Sequence, residues 1–162
     1  IMPDTLTPAP AIAGVSPYLV CDGAADAIAF YQKAFGASEM MRLDGPDGKI
    51  MHAAVLINGA VVMLTDERKE FGTLGPNALG GSPVILHLAV VNADEAIARA
   101  QDAGATVTMP AQDMFWGDRY GQVKDPFGHS WSIAHPLRDT EMSEDELRAA
   151  AQDAMCGAPP AT

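Results

Sequence analysis

The side chains in this sequence best suited to chemistry are few. His52 and His87 sit in apolar runs, and imidazole both trades protons near neutrality and ligates metals. Phe115 and Trp116 stand together ahead of Gly117, Asp118, Arg119 and Tyr120, and two adjacent loop aromatics are harder to assign to a core than one strand ring. Asp66-Glu67 and Asp94-Glu95 are neighbouring carboxylates. The first pair ends an apolar run, the second opens a helical one where acids suit the dipole, and neither reads as an acid–base pair. No nucleophile elbow, CxxC or HExxH occurs, and Gly80-Gly81 lacks the following helix that would make it a phosphate loop. What is left is ring stacking, hydrogen bonding and, from His52, His87 and Glu67 together, a fallback metal set.

Hydrophobic periodicity supplies the elements that must position these residues. Residues 15–22 read as a strand. Ala24, Ala27, Ile28, Tyr31 and Phe35 fit one face of a helix ended by Gly36. Strands over 39–43, 50–57 and 60–65 follow, joined by Gly45-Pro46-Asp47-Gly48 and by Asn58-Gly59, a strong hairpin signal. After a loop over 67–82 the order restarts: strand 84–91, helix 94–103 closed by Gly104, then strands 106–109, 117–123 and 130–134. Each half reads βαβββ. Leu19 matches Leu88, Ala27-Ile28-Ala29 matches Ala96-Ile97-Ala98 and Gln32 matches Gln101, all 69 residues apart, and Gly36-Ala37 matches Gly104-Ala105 after a one-residue slip. Ser143-x-x-Glu146 is a capping box that opens a short helix to about Met155. That helix is an appended arm whose Leu147, Ala151 and Met155 would dock on the body or on a second subunit.

The 162 residues are 48% apolar, enough for one compact domain or two fused modules. Asp and Glu number 21 against 10 Lys and Arg, a net charge of −11. Nucleic acid is therefore not an expected partner, since phosphate binding needs clustered cations. A cationic small molecule suits the charge better. No apolar run approaches the ~20 residues that span a bilayer, so no membrane partner is expected. The N-terminus lacks a basic region with a long apolar stretch, so no signal peptide is expected and Met2 reads as the natural start. Cys21 and Cys156 make no disulfide framework, and a cytoplasmic location is the expectation.

The stretches SPYLVCDGAADAIAFYQKAFGA, GPDGKIMHAAV, LGGSPVILHLAV and WGDRYGQVKDPFGHSWSIAH spread over residues 16–135. With the tandem βαβββ order, they resemble the vicinal oxygen chelate superfamily of glyoxalases, bleomycin-resistance proteins and extradiol dioxygenases, in particular its PhnB-like branch. The resemblance implies an α+β fold with modules 15–66 and 83–136 forming curved mixed sheets around a cleft, often completed in a dimer. Residues 1–14 are then a flexible Ala- and Pro-rich tail, and 137–162 a C-terminal helical extension.

In the family's enzymes, the resemblance further implies a divalent metal with one ligand on the first and last strand of each module. Counted by register from Ile28, Ile97, the strand 60–65 and the Asp125-Pro126-Phe127-Gly128 turn, those positions fall on Ser16, Met63, Ile85 and Ser132. None is an imidazole, carboxylate or thiolate, so a Lewis acid has nothing to hold it and no cofactor is expected. A register slipped by two would restore His87 and no other ligand.

Strand alternation turns Tyr18 and His87 to the same face as Ser16 and Ile85. The expected ligand-binding set is Tyr18, Met63, Ile85, His87, Phe115, Trp116 and Ser132, with His52 and Arg119 as lesser members. Each has a plainer reading: His87 and Tyr18 as core groups, His52 as a surface histidine, Arg119 as the ion-pair partner of Asp118 or Asp125. The PhnB-like pattern often has an acid where this chain has Ala54, which removes a partner for His52. Trp131 alternates away from Ser132 and reads as core. The resulting expectation is a metal-free homodimeric protein that sequesters a small aromatic or cationic, antibiotic-like molecule. Two rivals stand beside it. One is a lyase, isomerase or dioxygenase-type enzyme using the fallback metal set or no metal. The other is a protein-interaction module docking through its acidic C-terminal arm.

Overall fold

The fold is that of a computed structural model, which describes residues 14–157. The expected tail thus lies, but for Gly14, outside the described residues. The chain divides into two compact units, 1–81 and 82–162. The first holds β1 (Tyr18–Cys21), α1 (Ala24–Phe35), β2 (Ser38–Asp44), β3 (Ile50–Ile57), β4 (Ala60–Asp66) and a one-turn α2 (Pro76–Leu79). The second holds β5 (Ile85–Ala89), α3 (Ala93–Ala103), β6 (Thr106–Asp113), β7 (Asp118–Lys124), β8 (Ser130–Pro136) and α4 (Glu144–Cys156). Each unit builds one four-stranded sheet, in the orders β1-β4-β3-β2 and β5-β8-β7-β6, with the outer first strand parallel to the last and the rest antiparallel. This is the expected α+β architecture of tandem βαβββ modules with a C-terminal helix.

Amphipathic spacing decides which sheet face the helix covers. On α1, Ala24, Ala27, Ile28, Tyr31 and Ala34 are buried, spaced three or four apart, and Gly36 ends the helix at φ 66° with its N–H on the Gln32 and Tyr31 carbonyls. They pack on Leu19 and Cys21 of β1, Val55 and Ile57 of β3 and Val62 and Leu64 of β4, all buried. In the second unit α3 lies on β6, β7 and β8, the sheet that carries buried Val123, Trp131 and Ile133, with Leu88 of β5 buried beside them. The alternate residues face away from the helices and are open: Tyr18 is 50% exposed and Ile85 52%. Of the two thiols, Cys21 is buried under α1 and Cys156 is exposed at the end of α4.

Several boundaries differ from the sequence expectation by a residue or more, and three of the differences have a clear local reason. β1 starts at Tyr18 because Pro17 has no N–H to give the ladder and offers only its carbonyl, to Met63 N at 2.9 Å. β6 runs on to Asp113, through Pro110, because it is an edge strand whose pairing shifts between Met109 and Gln112. The loop over 67–82 contains a 3-10 turn at Lys69–Phe71 and α2, which starts on Pro76, a residue preorganised for a helix's first position.

Side-chain acceptors hold the corners. Asp66, buried at the end of β4, accepts from Gly23 N and Ala24 N with Oδ1 and from Ile50 N at 2.6 Å with Oδ2, tying α1 and β3 to its strand. Asp125 accepts from Phe127 N and His129 N with Oδ1 and from Trp131 Nε1 with Oδ2. The Asp125-Pro126-Phe127-Gly128 turn is therefore a structural device, and Trp131 is core.

Candidate functional site

The open face of the first sheet carries mostly apolar groups. Tyr18, Met63, Ala54 and Met41 lie side by side across β1, β4, β3 and β2, with His52 opposite Leu43 beside them. The Tyr18 hydroxyl lies 3.1 Å from His52 Nδ1, and the two rings meet edge to face with centroids 5.5 Å apart. His52 is thus neither isolated nor in search of the acid that Ala54 replaces. Ser16 lies ahead of β1.

The open face of the second sheet is more polar and more aromatic. One rung runs His87, Ser132, Gln122 and Met109, and the next runs Ala89, Ala134, Tyr120 and Gln112. His87 Nδ1 lies 2.8 Å from Ser132 Oγ, and Gln122 Nε2 donates to the Tyr120 hydroxyl at 2.8 Å. The His87 and Tyr120 rings are nearly parallel, 17° apart with centroids at 6.5 Å. Trp116 meets Tyr120 edge to face at 5.4 Å, and Phe115 meets Trp116 likewise at 5.0 Å. Four rings from β5, β7 and the β6–β7 turn thus form one row. Phe115 is 44% exposed and His87 is also exposed, so the row is not a core cluster. Trp116 Nε1 donates to Asp118 Oδ2 at 3.0 Å. The indole also walls a hollow of about 470 Å³ whose other side is Arg138, Met142 and Leu147, at the start of the C-terminal arm.

Of the expected set, the structure brings together Tyr18 with Met63, His87 with Ser132, and Phe115 with Trp116. Ile85 shares the second open face but lies opposite Ser130, two residues from Ser132. The register therefore differs from the one counted along the chain: the residues beside Met63 and Ser132 are Tyr18 and His87, not Ser16 and Ile85. A shift of two keeps the face and changes the partner. Arg119 is not on the open face. It turns to the helix side, where Nε and Nη2 donate to Asp94 and Nη1 to Asp113, and these carboxylates raise its pKa further above the usual arginine value. Its expected partners, Asp118 and Asp125, are engaged with Trp116 and Trp131 instead. Tyr120 and Gln122 were not foreseen as site residues.

These residues do not fit a divalent metal. Side by side on the first and last strands stand a phenol, a thioether, an alcohol and one imidazole, the last already bonded to Ser132. The fallback set fares no better. Buried Glu67 accepts from Gly75 N at 2.9 Å and lies 3.6 Å from Lys69 Nζ, so it secures the loop after β4. Among the described residues no three His, Cys, Asp or Glu side chains converge on a metal position.

Comparison with known proteins adds the lineage. The model of the Glyoxalase/Bleomycin resistance protein/Dioxygenase superfamily matches residues 12–133. An uncharacterised protein of Mycobacterium tuberculosis is 51% identical over 139 residues, which cover 84% of this chain and 81% of that one. Among solved structures, a gene product of Arabidopsis thaliana is similar with a TM-score of 0.62 at 26% identity, over 76% of this chain and 99% of that one. A PhnB protein from Bacillus cereus shares the fold, with a TM-score of 0.59 at 18% identity over 76% and 99% of the two chains. No helix among the described residues is long and apolar enough to cross a membrane. With most of both βαβββ modules inside the matched stretch, the chain belongs to the glyoxalase/bleomycin resistance protein/dioxygenase superfamily.

Proposed function

We propose that this chain binds a small, planar, cationic molecule on the open face of its second sheet and holds it chemically unchanged. The observation that carries the reading is the row Phe115, Trp116, Tyr120 and His87, four rings on one open, solvent-reached face. Aromatic faces attract planar and cationic groups by roughly 0.5–2 kcal/mol each. Gln122 supplies a polar group beside the rings that orients a bound group, and buried Ser132 braces His87 from below. The net charge of −11 raises the local concentration of cations, an effect that salt weakens. Sequestration of an antibiotic-like compound, in a cytoplasmic homodimer, is the biological form of this reading. The exposed apolar residues Tyr18, Met41 and Leu43 on the first sheet, and Ile85 on the second with Val84 just ahead of it, are what a second chain would cover.

Titration calorimetry against matched cationic and neutral aromatics tests it. Saturable binding of the cations, weakening with salt and followed by recovery of the intact compound, is the expected result. Equal binding of neutral compounds with no salt effect removes the electrostatic part.

One contact favours a second reading. The 2.8 Å bond between His87 and Ser132 on an open face is the geometry of a proton-transfer pair, so a metal-free enzyme is the alternative. Recovery of a chemically altered ligand, lost in His87→Gln, distinguishes it from storage.

A further inference from the structure

The two units cap their first helices with different chemistry at matched positions. Asp66 and His135 are 69 residues apart, as are Ala24 and Ala93. In the first unit Ala24 N, at the start of α1, donates to the Asp66 carboxylate at 2.8 Å. In the second, Ala93 N, at the start of α3, donates to His135 Nδ1 at 2.9 Å. A backbone N–H can only donate, so Nδ1 must carry no proton, and the neutral ring holds its proton on Nε2.

We infer that His135 is a pH-sensitive latch on the N-terminus of α3, and that α1 has no such latch. Protonating the ring puts a proton on Nδ1, so the latch turns from acceptor to donor and faces another donor. It also sets a positive charge against a helix N-terminus, where the dipole disfavours it. The surrounding charges give the cation somewhere else to go. From α3 come Asp94 and Glu95, from β7 Arg119, the cross-strand partner of His135, and from β6 Asp113, while Asp118 of β7 turns to the other face. Arg119 already binds Asp94 and Asp113, which leaves this corner with more carboxylates than cations. After β5 the chain runs through Val90, Val91 and Asn92, none ionisable. In acid the imidazolium exchanges the Ala93 amide for these carboxylates.

The sign follows. The latch is closed while the imidazole is neutral and opens on its protonation, so acid favours the open form. The carboxylate that caps α1 accepts at its oxygens and undergoes no such reversal in mild acid. The loss is confined to the first turn, because Asn92 Oδ1 still accepts from Glu95 N at 3.2 Å.

Amide hydrogen exchange on the full chain at pH 8 and pH 5.5, corrected for intrinsic rates, is the test. Protection of Ala93 should fall about fivefold at the lower pH, the scale of one lost capping bond, while Ala24 stays level. His135→Asp should remove the difference between the helices. Should that variant fail to fold, ring nitrogen shifts of the wild-type chain decide: Nδ1 bare at pH 8 and protonated at pH 5.5 as Ala93 loses protection. Equal behaviour of Ala93 and Ala24 across pH, a fall that persists in His135→Asp, or a proton on Nδ1 at pH 8 would each overturn the inference.

Discussion

The first and second units are one topology written twice, and they differ in what the shared positions do. Where the first places Tyr18 beside Met63, the second places His87 beside Ser132. Where the first ends its last strand on a carboxylate latched to a helix, the second uses an imidazole. The first joins its last two strands by Asn58-Gly59 alone, the second by a turn built around Asp125. Alternation, strand pairing and helix packing fix where a side chain stands, and only its face and neighbours limit which side chain that is. One unit thus spends its open face on apolar cover, and the other on rings and hydrogen-bonding groups.

The largest expected effect separates the two latches. Asp66→Ala strips acceptors from Gly23 N, Ala24 N and Ile50 N at once, at about 1–3 kcal/mol for each buried donor left unpaired. It should lower stability in urea by about 4 kcal/mol at neutral pH. His135→Ala removes one bond and should cost about 1 kcal/mol. Equal losses would break the contrast between the latches.

Next comes the contrast between the open faces. Trp116→Ala should weaken binding of a planar cation about tenfold, equivalent to 1.4 kcal/mol, while Tyr18→Phe leaves it unchanged. Calorimetry on both variants reads this directly, and the reverse pattern moves the site to the first unit.

A smaller effect sharpens the comparison of turns. Gly59 has φ 85°, and a Cβ there meets nothing within 4 Å, so Gly59→Ala costs only left-handed strain, about 1 kcal/mol in thermal unfolding. A larger loss would mean that the hairpin does more than reverse the chain.

The smallest effect concerns ion pairs that the units share. Arg68 holds the Asp47 carboxyl below the usual carboxylate range, and Arg119 does the same to Asp94. A depressed carboxylate contributes stability above its unfolded value near ~4, and loses it as pH falls through its lower folded value. Both pairs are exposed and weak, and neither should change between pH 8 and 5. Salt titrations of Asp47→Asn and Asp94→Asn at pH 7 should show shifts near the error of measurement.

Much of this was legible in the sequence. Every strand and long helix announced itself, because period-2 and period-3.6 patterns are physical requirements of half-buried elements. Of the face that alternation assigns to the helices, Leu19, Val62, Leu64, Leu88 and Ile133 are buried and Leu86 is half-buried. What counting along the chain could not fix was the parallel register of β1 on β4 and of β5 on β8, which depends on how a helix and two strands pack back on the sheet. Hence Ser16 and Ile85 stood in for Tyr18 and His87. Tyr120 and Gln122 were missed although a signal existed: Gln122 and Ser132 each lie five residues from Phe127, at the centre of the turn that pairs them. The partners of Arg119 were misjudged because its sequence neighbour Asp118 points to the opposite face of β7, while Asp94 is near only through the fold.

The two thiols give the chain an internal clock. Cys156 lies in reach of any reagent, whereas Cys21 is sealed between β1 and α1. A thiol label added to native protein therefore reacts once quickly, and a second time only when the first unit opens. The second unit contains no thiol beneath its helix, so the slow phase times the opening of one half of a doubled fold.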